Sequence, residues 1–241
     1  METAVLLSAG LDSAVLAAYE ACRGRVHPIY VRTGLAWEQR ELSALERLLA
    51  TPSFKSLAPL ARLTFTVRDL YPATHWALRG EPPAFDTPDE DVYLTGRNVI
   101  LLTKASIYCA QHQIGRIALG PLVGNPFPDA TPEFFASMAR ALSLGLAHDI
   151  HIDAPFADKE KSDVIKLGVE LGVPLELTLS CMNPHLRRAT SRRDTTSQRW
   201  LGGEAAVIEH CGVCSKCRER RDAFNEAGVE DRTRYAVQPI R

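Results

Sequence analysis

Short apolar runs rich in β-branched residues alternate along this chain with longer stretches in which apolar residues recur about every 3.6 positions. The short runs predict β-strands at 3–7, 26–31, 63–67, 116–119 and 149–152. The longer stretches predict α-helices at 12–22, 37–49, 98–111, 132–144 and 161–171. Because strands and helices alternate, we expect βαβ units and an α/β fold, a doubly wound, mainly parallel five-stranded sheet.

Two stretches interrupt this alternation. Residues 70–95 contain four prolines and several acidic residues, which predicts a long loop near the sheet and a candidate lid. Residues 183–205 contain five arginines against two acidic residues. This Arg-rich insertion is interpreted either as a solvated insertion or as a basic surface for an anionic partner.

Length and charge limit the possible classes of protein. The chain has 241 residues, 46% of them apolar, enough for a substantial core. Its 28 basic residues nearly balance 29 acidic ones, so the overall charge predicts no general attraction to nucleic acid or to a membrane surface. No apolar run approaches the ~20 residues that span a bilayer. The N-terminus lacks a secretory-signal pattern, and we therefore expect a cytoplasmic location.

The segment 8–13, Ser-Ala-Gly-Leu-Asp-Ser, joins the first predicted strand to the first predicted helix. Small residues there allow backbone N–H groups and the positive end of a helix dipole to approach a phosphate. The hydroxyls of Ser8 and Ser13 are further donors. Asp12 is a candidate either to hold Mg²⁺ or to cap the helix.

This segment resembles the S-G-G-x-D-S loop of the ATP pyrophosphatases, which cleave ATP between its α and β phosphates. Position 9 differs, because this chain has Ala where that pattern has Gly. An alanine costs little there if its φ is negative and strains the loop if its φ is positive. The resemblance implies that the loop binds ATP through Ser8, Ala9, Gly10, Leu11, Asp12 and Ser13.

Four of the six cysteines form a second motif near the C-terminus. The spacing of Cys211, Cys214 and Cys217 allows one tight turn to deliver three thiolates, and Cys181 is the candidate fourth ligand of a closed, structural zinc site. The alternatives are an iron–sulfur cluster, or a site in which His185 or His210 replaces one sulfur. Disulfides are disfavoured in a reducing compartment.

The other two cysteines, Cys22 and Cys109, lie in apolar stretches of predicted helices. A free thiol in such a stretch behaves as a small hydrophobic side chain. We therefore expect both residues in the core.

Together these features resemble the 7-cyano-7-deazaguanine synthase family over nearly the whole chain. Besides the phosphate loop and the cysteines, the resemblance is carried by residues 96–98, 128–129, 132–134, 161–168, 171–178, 223–224 and 227–228. It implies a fold like that of the adenine-nucleotide α-hydrolases. It also implies an ATP-binding domain at 1–175 and a zinc-binding C-terminal subdomain at 176–241.

The resemblance implies a reaction in two adenylations. ATP first adenylates the carboxylate of 7-carboxy-7-deazaguanine, and ammonia displaces AMP to give an amide. A second ATP adenylates the amide oxygen, and expulsion of AMP leaves the nitrile. The expected cofactors are ATP, Mg²⁺ and structural Zn²⁺, the expected partners are the deazaguanine and ammonia, and no membrane is involved. A homodimer is the default assembly.

Roles for individual side chains follow from the same resemblance. Lys161 is a candidate to neutralise charge on the reacting phosphorus, the alternative being a solvated lysine at a helix start. Arg97 is a candidate to hold phosphate or carboxylate, or else to form a salt bridge at a helix N-terminus. Asp129 and Glu133 are candidates to accept from the guanine-like edge, although Glu133 also suits the first turn of a helix. The catalytic set is then Asp12, Ser13, Arg97 and Lys161.

Two departures from the family pattern leave other functions open. The 29 residues at 182–210 form an unusually long connection between Cys181 and Cys211, and residues 120–127 replace an acidic and aromatic stretch. A related amide ligase with a different amine or protein acceptor is one alternative. The others are a tRNA thiolation or amidation enzyme that contacts tRNA through the Arg-rich insertion, and a non-catalytic nucleotide-binding relative.

Overall fold

A five-stranded parallel sheet forms the centre of the computed structural model, which describes residues 2–188, 198–199 and 205–237. The strand order is β3-β2-β1-β4-β5, and every neighbouring pair is parallel. This order confirms the doubly wound α/β prediction. The strands are β1 Glu2–Leu6, β2 Arg25–Arg32, β3 Ala61–Thr64, β4 Arg116–Ala118 and β5 His151–Asp153.

Helices cover both faces of this sheet. One buried cluster joins it to α1, α2, α6 and α7, and a second joins it to α4 and α5. The helices are α1 Leu11–Ala21, α2 Glu38–Leu49, α3 Trp76–Arg79, α4 Arg97–Gln111, α5 Pro132–Leu146, α6 Lys161–Glu170 and α7 Ser215–Ala227. Cys109 is buried in the second cluster, as predicted. The prediction for Cys22 is wrong, because this residue follows the last turn of α1 and is exposed.

The packing of α6 on α1 brings distant parts of the sequence together. Glu160 and Asp163 form a capping box that starts α6. Further along the helix, Gly168 lies so close to α1 that a β-carbon there would stand 2.8 Å from a methyl of Val15. This close approach places the start of α6, at Lys161, beside the start of α1.

Residues 70–95 lie mostly outside helices and strands, as the prolines predict, but the segment is packed on the rest of the protein. They contain α3 and a 3₁₀ turn at Asp89–Val92, and Ala77, Val92 and Leu94 are buried. A β-bridge also pairs Ala84 with Cys214. These apolar side chains hold the segment on the body of the protein, and its role as a lid stays a prediction.

A small antiparallel sheet, which the sequence analysis did not predict, follows the parallel one. Its strands are β6 His185–Arg188, β7 Gln198–Arg199 and β8 Ala205–Glu209, in the order β6-β8-β7. The Arg-rich insertion therefore contributes strands where it is described. Arg192 and Arg193 lie outside the described residues.

Buried Arg220 joins α7 to the segment that precedes Cys181. Its guanidinium donates to the carbonyl oxygen of Leu175 at 2.7 Å and to Thr178 Oγ1 at 2.8 Å. It also donates to Thr233 Oγ1 at 2.7 Å. The boundary predicted at residue 175 stays a prediction. Among the helices that the structure describes, none combines the length and apolarity needed to cross a bilayer.

Candidate active site and metal centre

A cleft of about 300 Å³ opens at the carboxyl ends of the central strands. After β1 the chain continues into α1 on one face of the sheet, and after β4 it continues into α5 on the other face. A crevice between two such strands is where doubly wound sheets bind ligands. The loop at 8–13, the start of α4 and residues 119–129 contribute to its walls.

The predicted phosphate loop has a tightly bonded backbone. The Gly10 N–H donates to Ser8 Oγ at 3.0 Å, and Ser13 Oγ donates to the carbonyl oxygens of Ser8 and Gly10 at 3.2 and 3.0 Å. A β-carbon at Gly10 would lie 3.1 Å from Ser8 Oγ. The loop therefore presents the free N–H groups at the start of α1 to the cleft.

Alanine fits position 9 without strain. Among the described non-glycine residues only Gln113 and Ala147 have a positive φ, so Ala9 does not need the glycine of the related loop. Its methyl group is fully buried. Leu11 is likewise buried in the core, which leaves its backbone as the part available to a ligand.

Asp12 and Lys161 meet beside the loop. Lys161 Nζ donates to Asp12 Oδ2 at 3.1 Å and to Glu219 Oε1 at 2.5 Å, and Lys216 Nζ donates to Glu219 Oε2 at 2.6 Å. Asp12 Oδ1 is buried and has no hydrogen-bond partner among the described residues. A carboxylate oxygen of this kind suits Mg²⁺.

Lys161 is not the solvated lysine of the alternative interpretation, because only 14% of its side chain is exposed. Burial lowers the pKa of its ammonium group, but Asp12 and Glu219 raise it more, and the net pKa lies above the ordinary value. Burial raises the pKa of Glu219, but Lys161 and Lys216 bring it down to about 2. Lys161 is thus a fixed cation at the edge of the loop.

Arg97 and Asp129 lie on the opposite wall. Arg97 is the first residue of α4, and its Nε is buried with no hydrogen-bond partner in the described part of the chain. Asp129 is buried, and its Oδ2 accepts from the Asn98 N–H at 3.0 Å. Burial raises the pKa of Asp129, although the Asn98 N–H and Arg97 oppose this shift. Arg97 is therefore available to an anionic ligand.

The structure does not bring Glu133 into the cleft. Its side chain is exposed in the first turn of α5 and lies outside the lining of the cleft. A carboxylate is favourable there because it faces the positive end of the helix dipole. The structure therefore favours the helix-terminus interpretation of Glu133 over substrate binding.

Sequence reasoning missed the acidic residues that α2 and α7 direct to the cleft. Glu41 lines it, and its Oε2 accepts from the Tyr30 hydroxyl at 2.8 Å. Burial raises the pKa of Glu41, while Arg97 and the Tyr30 hydrogen bond lower it less. One signal was present, since Glu41 shares the helical face of Ala44, Leu45 and Leu48, all buried. Glu219 lies among other charged residues and carried no such signal.

The four predicted cysteines form one cluster, with all Sγ atoms within 4.8 Å of one another. The Sγ–Sγ distance is 3.9 Å for Cys211 and Cys217 and 3.5 Å for Cys214 and Cys217. A single zinc with bonds of about 2.3 Å sets its sulfur ligands about 3.8 Å apart. The N–H groups of Asn183 and Cys211 donate to Cys181 Sγ, which favours a thiolate. The site therefore suits one zinc ion better than a larger cluster.

Neither alternative histidine belongs to this cluster. His185 is exposed on β6. His210 is buried, and its Nε2 accepts from the Ser180 N–H at 3.1 Å. Four sulfur ligands are thus the set that the described residues supply.

The metal centre adjoins the cleft. Helix α7 starts directly after Cys214 and carries Cys217, and on it Lys216 and Glu219 face a second cavity of about 320 Å³. This cavity shares Gly10, Asp12 and Arg97 with the first. The cysteine site therefore positions charged side chains at the cleft.

This chain is similar to known proteins over nearly its whole length. The model of the family described as "Queuosine biosynthesis protein QueC" matches residues 2–228. Proteins named 7-cyano-7-deazaguanine synthase are similar over nearly their whole length. The one from Methanopyrus kandleri is 33% identical, over 97% of this chain and 98% of its own. The one from Thermoplasma volcanium is 33% identical, over 98% and 91%.

A solved structure described as a predicted subunit of tRNA methyltransferase, from Methanocaldococcus jannaschii, is also similar. It matches 99% of this chain and 97% of its own, with a TM-score of 0.46 and 14% identity. We infer nothing from so distant a similarity.

Proposed function

Since this chain belongs to the queuosine biosynthesis protein QueC family, we propose that it is a 7-cyano-7-deazaguanine synthase. It would use two ATP to convert 7-carboxy-7-deazaguanine and ammonia into the nitrile, AMP and pyrophosphate. The name of the curated relatives supports this proposal. The observation that carries it is the convergence of the phosphate loop, Lys161 and Arg97 on one cleft.

The geometry suits the first adenylation. The N–H groups at the start of α1 bind phosphate, and Asp12 holds Mg²⁺, which would screen the phosphate charge. Arg97 orients the carboxylate, whose oxygen attacks the α phosphorus while pyrophosphate leaves. Lys161, fixed by two carboxylates, stabilises the negative charge that builds up on that phosphorus.

The same groups serve the second half of the reaction. Ammonia attacks the acyl carbon, AMP leaves, and the amide oxygen then attacks the α phosphorus of a second ATP. Loss of the remaining N–H protons with expulsion of AMP gives the nitrile. Residues 92–94 and 120–127 line the cleft, where they would limit hydrolysis of the acyl adenylate by excluding water.

The test is mass spectrometry of the products formed from ATP, Mg²⁺, ammonium and 7-carboxy-7-deazaguanine. We expect nitrile and AMP from the native protein and from Lys166→Met, an exposed position on α6, and neither from Lys161→Met. Amide as the sole product would indicate the amide ligase. Absence of AMP would contradict an ATP-dependent synthase and favour the nucleotide-binding relative.

The remaining expectations stay predictions. They are a homodimer, a cytoplasmic location, and a tRNA or protein partner at the Arg-rich insertion. Sedimentation with and without tRNA at two salt concentrations tests the assembly and the RNA contact together.

A further inference from the structure

Glu41 differs from the other carboxyl groups of the cleft in what it bonds to. Asp12 and Glu219 accept from lysine ammonium groups, and Asp129 accepts from a backbone N–H. Glu41 accepts from the neutral phenol of Tyr30, and no cation donates a hydrogen bond to it among the described residues. Arg97 lies near enough to lower the pKa of Glu41 but donates no hydrogen bond to it, so an oxygen of Glu41 is available to a cationic ligand.

An aromatic pair lines the same cavity as this carboxyl group. Trp37 precedes Glu41 by one helical turn, and the Glu41 N–H donates to the Trp37 carbonyl oxygen at 3.0 Å. The Trp37 ring stacks on Trp76 with 5.8 Å between ring centroids and 14° between ring planes. Trp37, Glu41 and Trp76 all line the cavity that also contains the phosphate loop. Indole rings next to a carboxylate are an arrangement that binds ammonium-type cations.

We propose that Glu41, Trp37 and Trp76 form the binding site for the nitrogen donor, an ammonium ion or small primary ammonium group. This inference rests on the proposed function and adds its second substrate. The bound ammonium ion passes one proton to the Glu41 carboxylate and becomes neutral ammonia, whose lone pair attacks the acyl adenylate. The nitrogen of the adduct loses a second proton as AMP leaves to give the amide, and both protons are then released to solvent. The raised pKa of Glu41 suits it to accept that proton.

Two assays separate this inference from the proposed function. Exchange of labelled pyrophosphate into ATP, with the carboxylate substrate and no ammonium, reports adenylation alone. Product formation against ammonium concentration reports use of the nitrogen donor. In Glu41→Gln, which keeps an acceptor for Tyr30, we expect exchange within about twofold of native and a KM for ammonium raised about tenfold or more. Trp76→Leu should shift the same KM, and Tyr30→Phe should leave it within about threefold.

An unchanged KM for ammonium in Glu41→Gln would overturn the inference. A raised KM for ATP in Trp76→Leu, with an unchanged KM for ammonium, would also overturn it. That result would mean that the indole pair binds the adenine ring of ATP. Loss of exchange in the native protein would contradict the proposed function instead.

A binding measurement tests the inference even if the native protein shows no pyrophosphate exchange. Tryptophan fluorescence is titrated with methylammonium chloride against sodium chloride at equal ionic strength, with thermal unfolding of each variant as the check on folding. A saturable change that Glu41→Gln abolishes is expected, and equal responses to both salts would contradict the site.

Discussion

The backbone N–H of Leu179 donates to the carbonyl oxygen of Ala9 at 2.7 Å. Leu179 lies two residues before the first cysteine of the metal centre, and Ala9 lies inside the phosphate loop. The two motifs at opposite ends of the sequence are thus joined by a direct hydrogen bond. One short segment of backbone therefore connects the four-cysteine cluster to the loop.

Metal binding is expected to support both the C-terminal segment and the loop. We predict one zinc ion per chain, and we expect Cys217→Ser to release it. Because structural zinc contributes on the order of 10 kcal/mol to folding, this variant should unfold at a lower temperature and bind ATP more weakly. Zinc analysis, thermal unfolding and nucleotide titration measure the three effects. Cys22→Ser, at the exposed cysteine, serves as the control and should change none of them. Full zinc content in Cys217→Ser would contradict the ligand set.

Positions 9 and 10 of the loop should respond differently to substitution. In Gly10→Ala the new methyl group would lie 3.1 Å from Ser8 Oγ and displace it. Such overpacking costs about 1–3 kcal/mol, so we expect the KM for ATP to rise about tenfold or more. Ala9→Gly should change it less than about threefold, because Ala9 has no positive φ. Equal effects at both positions would show that the loop geometry does not set the affinity.

Glu219 holds Lys161 toward the loop from the side of the metal centre. We predict that Glu219→Gln lowers kcat about tenfold or more with a smaller change in the KM for ATP, because the cation loses a fixed partner. Steady-state kinetics measure the two constants. Glu226→Gln, at an exposed position on the same helix, is the matched control. If both variants keep native kcat, the contact of Lys161 with Glu219 has no part in turnover.

The raised pKa of Glu41 predicts a pH dependence of stability. A carboxyl group with a raised pKa binds more protons folded than unfolded, so the free energy of unfolding falls as the pH rises above the ordinary value of 4.5. Urea unfolding at pH 5 and pH 7.5 should show a smaller decrease in Glu41→Gln than in the native protein. An identical decrease in both would mean that Glu41 does not titrate differently in the folded state.

Local patterns were sufficient to predict the parallel sheet and the metal ligands. Hydrophobic spacing located each central strand and helices α1, α2, α4, α5 and α6 to within a few residues. The spacing of Cys211, Cys214 and Cys217 identified three of the four clustered cysteines. The pairing of Lys161 with Glu219 was not predictable, because it depends on the packing of α6 and α7 across 58 positions. The packing of residues 70–95 and the antiparallel sheet were not predicted, because tertiary contacts rather than periodicity order them.

Glu133 shows that a residue type suited to ligand binding can instead stabilise the helix on which it lies. Its carboxylate is well placed in the first turn of α5, but Glu133 is not among the residues that line the cleft. Chemical suitability in a sequence therefore does not determine which side of a helix faces the ligand.

The contact of Lys161 with Asp12 and Glu219 has a consequence for the order in which the protein is made. Asp12 and Lys161 are 149 positions apart, and Glu219 follows Lys161 by 58 more. During synthesis the phosphate loop leaves the ribosome first, whereas its lysine and the carboxylate that holds that lysine leave much later. A chain that stops before Glu219 would carry the loop without the carboxylate that holds Lys161 beside it. Under the proposed function, such a chain would therefore bind a nucleotide before it could turn it over.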